Sequence, residues 1–388
     1  MRVLIAFDKF KDALGAEEAC HLVGETLRLR KPRSVIDLCP LTDGGEGFAR
    51  NLSLAARGSW HRHRVTGPLG NSVEGEFGLV PWSHLSPEVR TRLGISPSQE
   101  GVLGVVDMAS ASGLALIPPK DRNPWKTTTR GTGELLLAAA EKGADLLLLG
   151  IGGSGTSDLG LGCLQVLGLQ AWDSQEKEIP VLTPDHWGHV AKFTGTLHRN
   201  FPPLRVACDV TNPLLGARGA VRVYGSQKGL PSQDLEAFAS VTEAMAQKLL
   251  QNTGRPQDLL EIPGAGAAGG IGFGLMALAG AGLVSGSDLV AAWLDLPGKI
   301  RWADVVLTGE GRFDQSSLEG KGPVALVRQA LAAGKRVHVF AGSVEPGLNL
   351  PAGLSVHAIS PPELSLKQAL SRTGEFLVQA VSAANLSA

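Results

Sequence analysis

The sequence predicts an α/β protein in which both ends of the chain form one open parallel sheet and the middle forms a second domain. Three observations support this prediction. Strand-like apolar runs alternate with helical segments at the head of the chain, the same alternation returns at the tail, and a different rhythm separates the two. A length of 388 residues is also sufficient for two domains, each with its own core.

The head of the chain shows a β-α-β-α order. Short apolar runs predict two strands, and longer segments between them predict helices. The predicted strands cover residues 3–7 and 34–41, and the predicted helices cover 16–29 and the segment ending near Ala56. The first strand leads to Asp8 and Lys11 and the second to Asp43, so charged groups follow both strand ends.

The middle of the chain begins with hairpin strands at 64–80 and a proline-containing polar insertion at 81–100. A strand at 102–108, a helix ending near Lys142 and a buried strand at 146–149 follow. Ser157 or Asp158 is expected to cap a helix that runs to about Leu167. We predict irregular structure at 170–203, strands at 204–208 and 221–224, and a helix at 232–251.

The tail returns to strand and helix alternation. Strands are predicted at 305–307 and 337–340, with helices at 323–333 and 366–384. Before them, the uncharged window 263–287 contains nine glycines, and its first half is barely hydrophobic. We therefore expect a glycine loop feeding a buried helix there, not a membrane span.

Composition excludes several classes of protein. The net charge of −1 gives no field for nucleic acid or membranes, and we expect neither as a partner. Four scattered cysteines without CxxC spacing favour neither zinc nor disulfides and fit a reducing cytoplasm, where we expect the protein to be located. The 50 glycines lie in clusters, which indicates specialised loops.

The loop after the 146–149 strand is the strongest local indication of function. Its sequence, GIGGSGTSD at 150–158, places a glycine-rich turn between a strand and a helix, which is an arrangement that binds anions through backbone N–H groups. Neither a P-loop nor protein-kinase motifs are present. The pattern Gly150-x-Gly152-x-x-Gly155, with Asp173 downstream, leaves a dinucleotide-binding oxidoreductase acting on a small 2-hydroxy acid as an alternative.

Several long motifs resemble the bacterial type-1 glycerate kinases. They occur in the family's order over nearly the whole chain: 41–47 (LTDGGEG), 66–70 (TGPLG), 108–114 (MASASGL), 128–134 (TTRGTGE), 150–154 (GIGGS), 206–214 (VACDVTNPL), 263–270 (PGAGAAGG) and 308–312 (TGEGR). The resemblance implies ATP- and Mg2+-dependent phosphorylation of D-glycerate, most simply to 2-phosphoglycerate. It also implies a discontinuous flavodoxin-like domain (1–64 and 300–388), a central mixed α/β domain (65–299) and a site between them.

The resemblance assigns roles to particular residues. Asp209 matches the residue expected to take the substrate hydroxyl proton as general base. Asp158 and Glu310 are candidate metal ligands, although the sequence does not choose between them. The expected substrate-binding residues are Asp8, Lys11, Asp43 and Arg312, and the expected nucleotide- and phosphate-binding residues are Gly152, Gly153, Ser154, Lys228, Gly264, Gly266 and Gly269.

Three loops depart from the family pattern. The family has PDSFKG, SATNDGG and FGPQKG at these loops. This chain has FDKFKD at 7–12, SGTSDLG at 154–160 and YGSQKG at 224–229. These changes affect the expected substrate preference more than the reaction class. A third hypothesis is a non-catalytic sensor of sugar acids. The acidic residues that this chain shares with the family argue against it. The sequence leaves a homodimer open as the assembly.

Overall fold

The computed structural model describes residues 1–10, 13–42, 44–314, 317 and 324–386. The chain divides into two units: Met1–Asp43 with Val290–Ala388, here called the terminal unit, and Gly44–Leu289, here called the middle unit. We expected the divisions at 64/65 and 299/300. They lie earlier because the strand Ser59–Thr66 pairs with Ser72–Pro81 of the middle unit along its whole length, whereas Lys299 forms a 2.5 Å ion pair with Asp37 in the terminal unit.

Thirteen strands lie in the described residues. Most of them match apolar runs of the sequence, because these runs alternate or are buried on both faces. In chain order they are β1 (Arg2–Ile5), β2 (Val35–Leu38), β3 (Ser59–Thr66), β4 (Ser72–Pro81), β5 (Val102–Asp107), β6 (Leu146–Gly150), β7 (Gln170–Trp172), β8 (Lys192–Thr194), β9 (Leu204–Ala207), β10 (Gly282–Val284), β11 (Val305–Phe313), β12 (Arg336–Val344) and β13 (Leu354–Ala358).

Fourteen α-helices lie in the same described ranges. The longer ones, such as those at Ala16–Arg30, Arg130–Glu141 and Leu235–Thr253, bury one face, as the 3.6-residue periodicity of their apolar residues predicts. In chain order they are α1 (Ala16–Arg30), α2 (Phe48–Ala55), α3 (Pro87–Leu93), α4 (Ala109–Ser112), α5 (Arg130–Glu141), α6 (Leu161–Val166), α7 (Ala220–Tyr224), α8 (Leu235–Thr253), α9 (Ile271–Ala279), α10 (Gly286–Trp293), α11 (Leu296–Trp302), α12 (Val324–Ala332), α13 (Leu366–Ser371) and α14 (Thr373–Ala383).

The terminal unit has a five-stranded sheet in the order β2-β1-β11-β12-β13, and all neighbouring strands are parallel. This is the flavodoxin-like order, in which the chain reverses direction across the sheet between β1 and β11. Strand β1 from the head pairs with β11 from the tail, with Val3 opposite Val305. The predicted discontinuous parallel sheet is confirmed.

The middle unit has a six-stranded mixed sheet in the order β3-β4-β5-β6-β9-β10. The hairpin strands β3 and β4 are antiparallel, whereas β5, β6, β9 and β10 run parallel to one another. Every residue of β6 is buried, as its four consecutive leucines predict. This places the glycine loop after β6 beside the carboxyl ends of β5 and β9.

Four predictions of strand or helix extent were wrong. Residues 221–224 are helical in α7, because Val221 packs against Leu230 and Phe238 and this tertiary contact overrides the strand propensity. The segment 170–203 contains the antiparallel pair β7-β8. Strand β11 continues to Phe313, and the last helix is divided into α13 and α14.

The uncharged window does not form a membrane span. Its helix, α9, has nine residues, and within the described part of the chain no helix is long and apolar enough to cross a bilayer. The window instead forms a buried glycine turn followed by α9, as the sequence predicts.

Candidate active site

The glycine loop after β6 is held by backbone hydrogen bonds to two other segments of the middle unit. Gly152 N–H donates to Gly44 O at 2.9 Å, and Gly155 N–H donates to Ser112 O at 2.8 Å. A Cβ at Gly152 would lie 2.7 Å from Gly45 N, so only glycine permits this approach. Gly153 is exposed in the left-handed region with φ of 70°.

The loop does not lead directly into a helix. Helix α6 begins at Leu161, after Gly160 in the left-handed conformation, so the predicted cap at Ser157 or Asp158 was wrong. The six-residue helix therefore does not present its N-terminus to the glycine turn. An anion at this loop would have to be bound by individual backbone N–H groups and side chains.

Lys228 lies under the glycine loop, and its side chain is only 2% exposed. Its Nζ donates to Ser154 Oγ at 2.9 Å and to Thr156 O at 2.5 Å. Burial lowers the pKa of Lys228 to about 7, and the nearby Asp158 carboxylate opposes this shift. Since the ammonium faces inward, Lys228 would influence a ligand through Ser154, whose own hydroxyl proton stays available for another acceptor.

Asp158, a candidate metal ligand, is 1% exposed, and both of its oxygens accept hydrogen bonds within the protein. Its Oδ2 accepts from Thr129 N–H at 2.7 Å, Thr129 Oγ1 at 2.8 Å and Gly162 N–H at 3.2 Å, and its Oδ1 accepts from Gly160 N–H at 3.2 Å. Burial raises the pKa of Asp158, and these donors oppose the rise. The carboxylate joins α6 to the segment before α5.

Gly264, Gly266 and Gly269, expected at the phosphate, all lie in crowded surroundings within the protein. A Cβ at Gly266 would lie 2.1 Å from Pro213 O, and one at Gly269 would lie 2.2 Å from Thr156 O. Gly264 has φ of 95°. The close backbone approaches explain Gly266 and Gly269 without any ligand, and the left-handed conformation explains Gly264.

Asp209 follows β9 and is exposed, which is the placement expected of a residue that meets a substrate. Ser287 N–H donates to both oxygens, at 3.0 Å to Oδ1 and 2.9 Å to Oδ2. The hydroxyls of Ser287 and Ser285 donate to Oδ1 at 2.9 and 3.2 Å. The carboxylate is therefore held at the start of α10.

The terminal unit carries a separate acidic group, formed by Asp8 after β1, Glu310 on β11 and Asp314 after β11. Glu310 lies on β11, and one of its oxygens, Oε1, is buried without a hydrogen-bond partner in the described residues. Burial raises the pKa of Glu310 to about 7. A hydrogen bond with the Ser317 side chain opposes this rise, and the negative charges of Asp8 and Asp314 add to it. The Arg312 Nε lies 3.3 Å from Asp314 Oδ2.

Two predicted site residues, Lys11 and Asp43, lie outside the described residues. No group of three or more histidine, cysteine, aspartate or glutamate side chains in the described ranges is arranged to hold a metal ion. Asp173, the acid of the dinucleotide alternative, closes a turn after β7 by accepting from Gln175 and Lys177 N–H.

The sequence analysis missed Ser285, Gly286 and Ser287. Small hydroxyl residues directly before a helix commonly bind the free N–H groups of its first turn, so their position could have drawn attention to them. Nothing in the sequence indicates that a distant aspartate, Asp209, occupies that turn.

Comparison with known proteins decides the family. The profile of the glycerate kinase family matches residues 3–386. The chain belongs to the glycerate kinase family. The glycerate 2-kinase of Escherichia coli K12 is 37% identical over 89% of this chain and 86% of its own length. The glycerate kinase of Bacillus subtilis 168 is 36% identical over 97% and 95%.

The fold agrees with that of the family. A solved structure from Salmonella typhimurium LT2, which carries the provisional name glycerate kinase 2, has 34% identity and a TM-score of 0.74 and covers 98% of this chain and 96% of its own. Membership of the glycerate kinase family makes this chain a phosphotransferase enzyme, and the oxidoreductase and sensor hypotheses are set aside.

Proposed function

We propose that this member of the glycerate kinase family phosphorylates D-glycerate at the expense of ATP to give 2-phosphoglycerate, with Asp209 as general base. The observation that supports this most is the state of Asp209: its carboxylate is exposed, follows a parallel strand and is held by three donor groups. A fixed, solvent-facing carboxylate is suited to take a proton from an alcohol.

The proton balance is simple. As the glycerate oxygen bonds to the transferred phosphorus, its proton passes to Asp209, while the phosphorus–oxygen bond on the nucleotide side breaks. ATP would supply the phosphoryl group, and Mg2+ would neutralise charge on the phosphate oxygens. Asp209 removes the positive charge that would otherwise build up on the attacking oxygen.

Ser154 is the proposed phosphate contact of the glycine loop, together with Gly152 and Gly153. Its hydroxyl accepts from the buried Lys228, so its proton is directed away from that ammonium. Gly153, next to Ser154, is exposed to solvent. The residues present therefore fit a phosphate group, with Lys228 behind Ser154.

Glu310 fits Mg2+ better than Asp158 does. Its Oε1 is buried without a partner in the described part of the chain, and a cation would satisfy that oxygen. Both oxygens of Asp158 accept hydrogen bonds within the protein, and its carboxylate is almost completely buried. We retain Asp8, Lys11, Asp43 and Arg312 as proposed substrate-binding residues. A cytoplasmic location and a homodimer also remain proposals, and light scattering tests the latter.

A coupled assay with ATP and D-glycerate tests the reaction, and 31P NMR distinguishes 2-phosphoglycerate from 3-phosphoglycerate. Asp209→Asn should lower kcat by about 10²–10⁴-fold while the protein stays folded and binds glycerate. An unchanged kcat in this variant would show that Asp209 is not the general base. If neither 2-phosphoglycerate nor 3-phosphoglycerate forms, glycerate is refuted as the substrate.

A further inference from the structure

Three consecutive residues, Ser285, Gly286 and Ser287, surround the Asp209 carboxylate. Ser285 connects β10 to α10, and Gly286 and Ser287 are the first two residues of α10; all three approach the Asp209 carboxylate. Ser285 Oγ also accepts from Asp288 N–H at 3.3 Å, which orients its proton toward Asp209. The carboxylate is thus held by both ends of one turn.

The two oxygens of Asp209 have different surroundings. Oδ1 accepts three hydrogen bonds, from Ser285 Oγ, Ser287 N–H and Ser287 Oγ. Oδ2 accepts only the Ser287 N–H among the described residues. A carboxylate oxygen can accept about two hydrogen bonds, so Oδ2 retains a lone pair for an incoming proton and Oδ1 does not.

Gly286 leaves the approach to Oδ2 clear. A Cβ at this position would lie 3.0 Å from Asp209 Oδ2 and 3.5 Å from the Cβ of Ala207. Its φ is not in the left-handed region, so the backbone conformation does not by itself require glycine. The absence of a side chain therefore matters for the space beside Oδ2.

We propose that Ser285 and Ser287 are positioning residues that fix Asp209 with Oδ2 toward the substrate hydroxyl, and that Gly286 keeps that oxygen accessible. This inference rests on the proposed function, because it assumes that Asp209 is the base. The proton of the glycerate alcohol passes to Oδ2 as the alcohol oxygen bonds to phosphorus. Fixing the base in advance lowers the entropic part of the barrier.

Three variants test the proposal in the intact enzyme. Ser287→Ala should lower kcat about 10-fold and Ser285→Ala about threefold, with KM for D-glycerate nearly unchanged. Ser287→Thr keeps the hydroxyl and should restore most of kcat. Gly286→Ala should lower kcat about 10-fold without lowering Tm, because alanine is favoured over glycine in a helix.

Ser86→Ala is the matched control. Ser86 also precedes a helix, where its hydroxyl accepts from Val89 N–H at 3.3 Å, but it does not contact Asp209. This variant should lose a little stability and retain kcat. A loss of kcat in Ser86→Ala equal to that in Ser287→Ala would show a general effect of uncapping and overturn the proposal.

A double-mutant cycle separates the two proposals. In the Asp209→Asn background, Ser287→Ala should lower kcat no further, because the serine acts through the aspartate. The positioning role is refuted if Asp209→Asn is slow but the serine and glycine variants match the wild type. It is also refuted if the effects of the serine and glycine variants add fully to that of Asp209→Asn. In both cases Asp209 remains the proposed base. If Asp209→Asn retains full kcat, the base itself fails.

Discussion

Asp158 and Asp209 show how the same residue type serves opposite purposes. Asp158 is buried and accepts from four N–H or O–H donors, whereas Asp209 is exposed and keeps an oxygen open. Both lie in loops that follow a parallel strand, β6 for Asp158 and β9 for Asp209. Their sequence context therefore does not separate them, because burial and hydrogen-bond partners decide what a carboxylate can do.

Asp158→Asn should destabilise the protein by about 3 kcal/mol. Whichever way the amide is turned, its NH2 group faces an N–H or O–H donor at Gly160 or Thr129. Urea unfolding of the variant and of Asp209→Asn, which should lose little stability, measures the difference. Wild-type stability combined with weaker Mg2+ binding would contradict the structural role and restore Asp158 as a metal ligand.

At the scale of elements, β11 shows how pairing extends a strand beyond its apolar residues. The apolar run ends at Leu307, but the strand continues through Glu310 and Arg312 to Phe313 beside β12. Glycines that resemble a turn in the sequence are strand residues here. Gly309 lies opposite Phe340, and the space for its Cβ is filled by Phe340 O at 2.2 Å.

Gly309→Ala should therefore destabilise the terminal unit by at least about 2 kcal/mol, because a backbone oxygen and the Phe7 ring cannot both move aside. Gly15→Ala is the matched control, since a Cβ there meets nothing within 4 Å and the φ of −68° suits alanine. Thermal unfolding of both variants tests the prediction. Equal Tm values would show that β11 and β12 can separate at Gly309 without loss.

Strands β12 and β13 carry a histidine pair in which His338 is buried and His357 is half-buried. His338 Nδ1 lies 3.0 Å from His357 Nε2, and His338 is 5% exposed. Burial, and then the His357, Arg336 and Lys31 charges, lower the pKa of His338 to about 4, and burial lowers the pKa of His357. The folded protein therefore favours the uncharged imidazole form of both His338 and His357.

This pair should make the protein acid-sensitive. Between about pH 6.5 and pH 4 the unfolded chain binds protons that the folded pair resists, so the free energy of unfolding falls as the pH falls, by up to about 3 kcal/mol from His338. His338→Phe should flatten this dependence. Urea unfolding at pH 7, 5.5 and 4 measures it, and an identical slope in wild type and variant would contradict the assignment.

At the scale of the whole molecule, the two units differ in how the chain supplies them. The middle unit is one continuous segment, Gly44–Leu289. The terminal unit needs both ends, because β1 pairs with β11 and β2 pairs with β1. Its core joins Val3, Ile5 and Phe7 of the head to Val305 and Leu307 of the tail.

A fragment of residues 44–289 should unfold cooperatively in urea, because its sheet and core are complete. A fragment of residues 290–388 should not, because β11 would lose its β1 partner and half of its core. Adding a peptide of residues 1–43 should restore cooperative unfolding. Cooperative unfolding of 290–388 alone would contradict this account of the terminal unit.

Local pattern and motif order were enough to predict the α/β class, the contribution of both chain ends to one parallel sheet, and the glycerate kinase family. These features depend on periodicity and on residues close together in the chain, such as the leucines of β6, so they can be inferred without a structure. Four residue-level features needed the tertiary structure: the helical state of 221–224, the burial of Lys228, the enclosure of Asp158, and the turn of Ser285 and Ser287 that holds Asp209. The physical reason is that burial and hydrogen-bond partners come from segments distant in sequence, and these long-range contacts override local propensity and set the chemistry of each side chain.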